Sequence, residues 1–233
     1  MKYIITLMLG CSLMAQQANT TQDSLTASTV ALSSVTVSAL RANEDTPMAF
    51  TNVSQEELNK QNLGKDLPVL LRFLPNVVTT SDAGAGVGYT GIRVRGSDAT
   101  RVNVTINGIA YNDAESHGTF WVNLSDFASS VSDLQLQRGV GTSTNGAAAF
   151  GASLNINTTE PSQDAYALLS SSAGSFNTFK NTVKFSTGLS KSGFEFSGRL
   201  SGITSDGYID RASSNLKGYF LQGTYSSVNT KIK

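Results

Sequence analysis

The chain has 233 residues, 39% of them hydrophobic, which is enough for one or two domains with buried cores and too much for general disorder. Charged residues make up 15%, against roughly 25% in soluble globular domains, and glycine and small polar residues fill the gap, a bias toward strands and turns. Lys plus Arg equals Asp plus Glu at 17 each, so no net positive field exists to hold a polyanion, which argues against nucleic acid as a partner.

The chain opens on an address. Lys2 supplies a positive start, Tyr3 to Leu13 an apolar core and Met14-Ala15-Gln16 a cleavage site, so residues 1–15 read as an export signal. The apolar stretch falls short of the roughly 20 residues a membrane helix needs. The sole cysteine, Cys11, lies inside it, leaving the mature chain without a thiol; the alternative is a lipoprotein site at Leu9-Gly10-Cys11, with Cys11 acylated. Residues 16–44 form a polar leader, with too little apolar content up to about Thr29 to offset ordering entropy. Within it Ser34, Val35, Thr36, Val37, Ser38 and Ala39 centre on a β-branched run. That run is either a first edge strand of the next domain or a docking strand that adds to a partner's sheet.

From Ser54 the period changes. Ser54-Gln55-Glu56-Glu57 is a capping box and predicts a short helix. Leu67, Leu70, Leu71 and Leu74 predict a second, with Pro68 in its first turn and Pro75 ending it. Strands follow at Ile92 and Val94, at Val102, Val104 and Ile106, at Val131 to Gln137, and at Ser153 to Asn157, with Asn107-Gly108 as a tight turn. Residues 45–160 therefore read as a small α+β domain.

Chemical motifs in this region fail on context. Gly84-Ala85-Gly86-Val87-Gly88 does not open a helix, as a dinucleotide loop must, and reads as a plain loop. Gly141 to Gly146 has the glycine spacing of a phosphate loop, but Ala147 and Ala148 stand where the Lys and the hydroxyl belong. His117 is the sole histidine, so neither a His-rich metal site nor a catalytic triad is expected, and no cofactor is implied.

Three blocks in series, DLPVLLRFLPNV at 66–77, IRVRGSDATRVNVTINGI at 92–109 and VSDLQLQRGVGTSTNGAAAFGASLNINT at 131–158, resemble the plug domain of TonB-dependent outer-membrane receptors. On that resemblance SVTVSA at 34–39 is similar to the family's TonB box, which pairs with an inner-membrane-anchored TonB-type protein. The resemblance also implies energised uptake of a scarce nutrient, such as an iron chelate, haem or cobalamin, or of a glycan, with no bond chemistry catalysed. Its outward plug loops, before Arg93 and after Gly108, would hold the ligand through Tyr89, Tyr111, Asn112, Asp113, Glu115, His117, Phe120 and Trp121; for Phe120 and Trp121, packing inside the plug is the competing expectation. Arg95 and Arg138 would ion-pair with carboxylates on the barrel wall.

From about residue 164 the sequence alternates in segments separated by turns, the pattern of an antiparallel transmembrane β-barrel, and four strands can be counted. Val183, Phe185, Thr187 and Leu189 share one face of the second against Lys184, Ser186 and Ser190; Phe194, Phe196 and Leu200 oppose Glu195, Ser197 and Arg199 in the third; Tyr219, Leu221 and Tyr225 oppose Phe220, Gln222 and Thr224 in the fourth. One face suits outer-membrane lipid and the other a wet lumen, although a soluble β-meander would alternate in the same way. Plugged barrels need about 22 strands, so residues 161–233 are expected to be an incomplete barrel and the chain a piece of a longer or truncated product.

Overall fold

The computed structural model describes residues 41–140, 147–227 and 230–233. The export signal, most of the leader and the segment 34–39 lie outside them.

The α+β domain runs β1 (Ala49–Ser54), α1 (Gln55–Gln61), α2 (Leu67–Leu70), β2 (Val77–Ser81), β3 (Thr90–Val94), β4 (Val102–Ile106), β5 (Ile109–Ala110), β6 (Val131–Arg138) and β7 (Ala152–Thr158). Five strands form a mixed sheet in the order β1-β6-β7-β4-β5, with β4 and β7 parallel, while β2 and β3 pair as a separate hairpin. Helix α1 starts on the capping box read from sequence: the Ser54 hydroxyl accepts from Glu57 N–H, and the Glu57 carboxylate accepts from Ser54 N–H at 2.8 Å. The leucine helix is shorter than its periodicity predicts. Only Leu67–Leu70 is helical, and Pro75 with a left-handed Asn76 (φ 63°) turns the chain into β2, yet Leu67, Leu70 and Leu71 are all buried. Asn107 (φ 51°) and Gly108 (φ 83°) form the predicted two-residue turn between β4 and β5, both left-handed as a type I′ hairpin requires. Strands β1 and β2 are not among the sequence expectations.

The mixed sheet has two unlike faces. Val53, Leu134, Leu136, Leu154, Ile156, Val102 and Val104 turn one face toward α1, α2 and β3, where Leu58, Leu67, Leu71, Ile92 and Trp121 complete the core. The other face carries a polar row across four strands, Asn52, Gln135, Asn155 and Thr105, in direct register. Gln135 Nε2 donates to Asn52 Oδ1 at 2.8 Å, and Thr105 Oγ1 to Asn155 Oδ1 at 2.7 Å, so buried polar groups are matched along the row.

Beyond Glu160 the chain becomes an antiparallel meander: β8 (Tyr166–Gly174), β9 (Thr178–Ser186), β10 (Phe194–Ser205), β11 (Ser214–Ser226) and a two-residue β12 (Lys231–Ile232), each paired with its sequence neighbours. The four long strands match the count read from sequence, and the sheet is open among the described residues. Strand β9 begins earlier than expected and stops at Ser186; Thr187 and Leu189 fall in the turn beyond, where Gly188 sits at φ 70°.

Burial along the meander is inverted relative to a soluble sheet. Lys180, Thr182, Ser186, Glu195, Ser197, Arg199, Gln222 and Thr224 are buried on the face that meets the α+β domain. Leu169, Val183, Leu200, Tyr219 and Leu221 are exposed on the other. Register aligns Leu169, Val183, Leu200 and Tyr219 in one row across four strands. The sequence left a soluble meander open; a soluble meander would place these apolar rows inside.

Candidate functional site

The loop after β5 is built by two residues expected to touch ligand. Asn112 Oδ1 accepts from Val104 N–H at 2.7 Å, while its Nδ2 donates to Val102 O and His117 O, so the side-chain amide continues the ladder of β4. Asp113 Oδ2 accepts from the backbone of Glu115 and Ser116 and from the Ser116 hydroxyl; these bonds hold its carboxyl below the usual range and close the turn. Glu115 and His117 are exposed on that turn, and Tyr111 is half-buried against the core. Phe120 is 51% exposed, whereas Trp121 is 3% exposed and belongs to the core. Trp121 therefore leaves the recognition surface: it starts a single 3-10 turn, Trp121–Leu124, whose indole packs inward.

The second expected loop, residues 82–89 between β2 and β3, displays Tyr89, 66% exposed. Its three glycines take left-handed conformations, Gly84 at φ 69°, Gly86 at φ 81° and Gly88 at φ 89°, which explains the run that failed as a nucleotide loop. This loop docks on the meander. Ala83 O accepts from Tyr208 N–H at 2.9 Å and Ile209 N–H at 3.3 Å, and a Cβ on Gly84 would lie 2.9 Å from Tyr208 Cβ. Tyr208 in turn stacks edge-to-face on Phe176, ring centroids 5.4 Å apart.

Domain and meander also meet through a buried charge cluster that the sequence analysis did not single out. Asp126, held at φ 52° between two 3-10 turns, sends its carboxylate into the meander, where Lys180 Nζ lies 2.7 Å from Oδ1 and an Arg199 nitrogen 3.2 Å from Oδ2. Side-chain exposure is 0% for Asp126, 4% for Lys180 and 3% for Arg199. Ser129 and Thr182 hydroxyls donate to the same carboxylate at 2.6 and 2.7 Å. Arg199 also donates to the backbone oxygens of Ser125 and Asp126. Burial raises the Asp126 proton affinity, but Lys180, Ser129 and Arg199 outweigh it and hold the carboxyl below its ordinary range. Beside the cluster Phe127 meets Phe220 edge-on at 6.1 Å, and a Cβ on Gly218 would lie 2.9 Å from Ser125 O, so β11 approaches closely enough to need glycine. Here the α+β domain supplies the acid and the meander the bases. Arg138, by contrast, is tied within its own sheet to Thr51 Oγ1 at 2.7 Å and Phe50 O at 3.3 Å, and Arg95 is exposed at φ 52°, next to Gly139.

At its N-terminal entry the domain grips the chain through the polar row. Gln135 Oε1 accepts from Ala42 N–H at 2.8 Å and its Nε2 donates to Ala42 O at 2.9 Å, as a strand neighbour would. Arg41 pairs with Asp133 at 2.5 Å.

Residues 42–153 match the family model described as TonB-dependent Receptor Plug Domain. No curated protein matches the sequence. Among solved structures, FpvA of P. aeruginosa, determined with a bound ferric pyoverdine, is similar over 78% of this chain and 23% of its own length, at 17% identity and a TM-score of 0.65. FauA, the alcaligin outer-membrane receptor of Bordetella pertussis, is similar over 79% and 30%, at 15% identity and a TM-score of 0.62. The ferric-catecholate import receptor Fiu of E. coli K12 is similar over 78% and 25%, at 20% identity and a TM-score of 0.61. The chain thus spans between 23% and 30% of the length of these receptors. Residues 42–153 thus match the TonB-dependent receptor plug domain, and the plug with the meander folded against it shares the fold of these solved receptors.

Proposed function

We propose that the chain is part of a ligand-gated, TonB-energised receptor that carries a scarce nutrient across the bacterial outer membrane, an iron chelate such as a siderophore or haem, or cobalamin. The observation that carries this reading is the inverted meander: its apolar rows face outward, as lipid contact requires, while its polar rows are covered by a plug. Of the proteins whose fold it shares, FpvA binds a ferric pyoverdine, FauA is the alcaligin receptor and Fiu imports ferric catecholate, which favours an iron chelate. Ligand would rest on Tyr89, Tyr111, Glu115, His117 and Phe120, with Asn112 and Asp113 shaping the turn that presents them. Arg95 remains a candidate contact to the barrel wall, and Arg138 braces β1 beneath it.

Residues 34–39 would serve as the TonB box, a short distance upstream of Ala42, which Gln135 holds through two hydrogen bonds. Val37→Pro removes a backbone donor needed for strand addition. In the full-length receptor it is expected to abolish uptake while leaving ligand affinity unchanged; uptake at the parental rate would refute the box assignment.

Alanine at Tyr89, Glu115 or His117 is expected to weaken binding of the cognate chelate about tenfold for the most affected position, with the plug still folded, because each side chain stands on an exposed loop. Competition among candidate chelates on the full-length receptor identifies the ligand. Unchanged affinity in all three variants would move the site elsewhere.

A further inference from the structure

The glycine loop encloses a carboxyl that has no cation of its own. Asp66, just before α2, is 1% exposed. Its N–H donates to Gly86 O at 2.9 Å, its Oδ2 accepts from the Thr90 hydroxyl at 3.1 Å, and its Oδ1 is buried without a hydrogen-bond partner. The charged groups around it give no compensation. Lys65 lays its stem beside Gly86, Asp82 and Arg93 point outward, and none of the three forms an ion pair with Asp66. The charge that does reach it is another carboxylate, Asp126, whose own cations Lys180 and Arg199 are already engaged. An ionised Asp66 is therefore costly unless water reaches it.

We propose that Asp66 is a proton-operated latch for the glycine loop: neutral, it lets residues 82–89 close and grip the meander at Tyr208 and Ile209; ionised, it draws in water and releases that grip. Burial, with a smaller push from Asp126 and opposed by Thr90 and the Gly88 amide, raises the carboxyl to about 7. Proton affinity is thus higher in the closed form than in the open one. The stabilisation of closure is complete below the ordinary Asp range and is lost as pH rises through about 7. Neutral pH lies on this slope, so the loop that displays Tyr89 would respond to the acidity of the medium. The latch depends on the fold alone and stands or falls independently of which ligand is carried.

The test is hydrogen exchange at the Tyr208 and Ile209 amides, the two donors to Ala83 O, on the chain in detergent between pH 5.5 and 8.5. Protection factors, corrected for intrinsic exchange, should fall about tenfold per pH unit above the midpoint and stay flat in Asp66→Asn. Thr90→Val removes a bond that favours the ionised form, so it should shift the midpoint to higher pH; this variant decides the matter should Asp66→Asn fail to fold. PH-independent protection in the parent, an equal fall in Asp66→Asn, or an unmoved midpoint in Thr90→Val would each overturn the latch.

Discussion

Asp126→Ala is expected to loosen the plug from the meander more than any other single truncation in the contact, at a cost of about 3–5 kcal/mol. The carboxylate is the only acid paired with Lys180 and Arg199 among the described residues, and both cations are nearly fully covered. Removing it leaves two buried positive charges facing each other, and the desolvation already incurred by Lys180 and Arg199 is no longer offset by attraction. The magnitude reflects stranded charge rather than the net worth of the cluster, which buried ion pairs rarely make large. A variant that also carries Lys180→Met and Arg199→Met should therefore recover much of the loss. Protease sensitivity of the plug and denaturant midpoints in detergent report both outcomes. A loss below about 1 kcal/mol for Asp126→Ala, as for an exposed pair, would show that the cluster does not hold the plug. Since the Asp126 carboxyl is held below its ordinary range, its contribution is present at neutral pH and is lost only as pH falls through that lowered value.

Local rules made part of this structure legible from sequence. The capping box at Ser54, the Asn107-Gly108 turn and the alternation of β10 and β11 each depend on residues a few positions apart, and each appears as read. The leucine face was right about burial and wrong about length, because periodicity sets which side is apolar while Pro75 and a left-handed Asn76 set where the helix can continue. The short strands β1 and β2 carry no distinctive period and owe their state to partners: β1 pairs with β6, 79 to 89 positions away. The Asp126 cluster was not legible for the same reason. Its partners sit on β9 and β10, and no local pattern marks one carboxylate among seventeen acidic residues as the one that topology brings to two cations. Trp121 shows the converse limit, since an aromatic beside an exposed Phe120 reads as a recognition platform until the turn of the chain buries it.

Leu200→Arg is expected to block stable insertion of the receptor into lipid vesicles while leaving the protein folded in detergent. Leu200 stands on β10 between Val183 of β9 and Tyr219 of β11, in the middle of the outward apolar rows, and is 54% exposed. In hydrocarbon a guanidinium at that depth costs about 2–4 kcal/mol, and less only near an interface to which the side chain can reach. In water the same substitution on an exposed strand position would be close to neutral. The two environments therefore give opposite expectations for one residue, which the alternation of the sequence alone could not do. Lys217→Arg provides the control, because Lys217 already faces outward opposite Gly202 and keeps its charge, so insertion should be unaffected. Folding efficiency into vesicles, read from protease protection and heat-modifiable mobility, separates the variants. If Leu200→Arg inserts as well as the parent, the outward rows are not a lipid surface, and the meander is a soluble sheet whose apolar face awaits a protein partner.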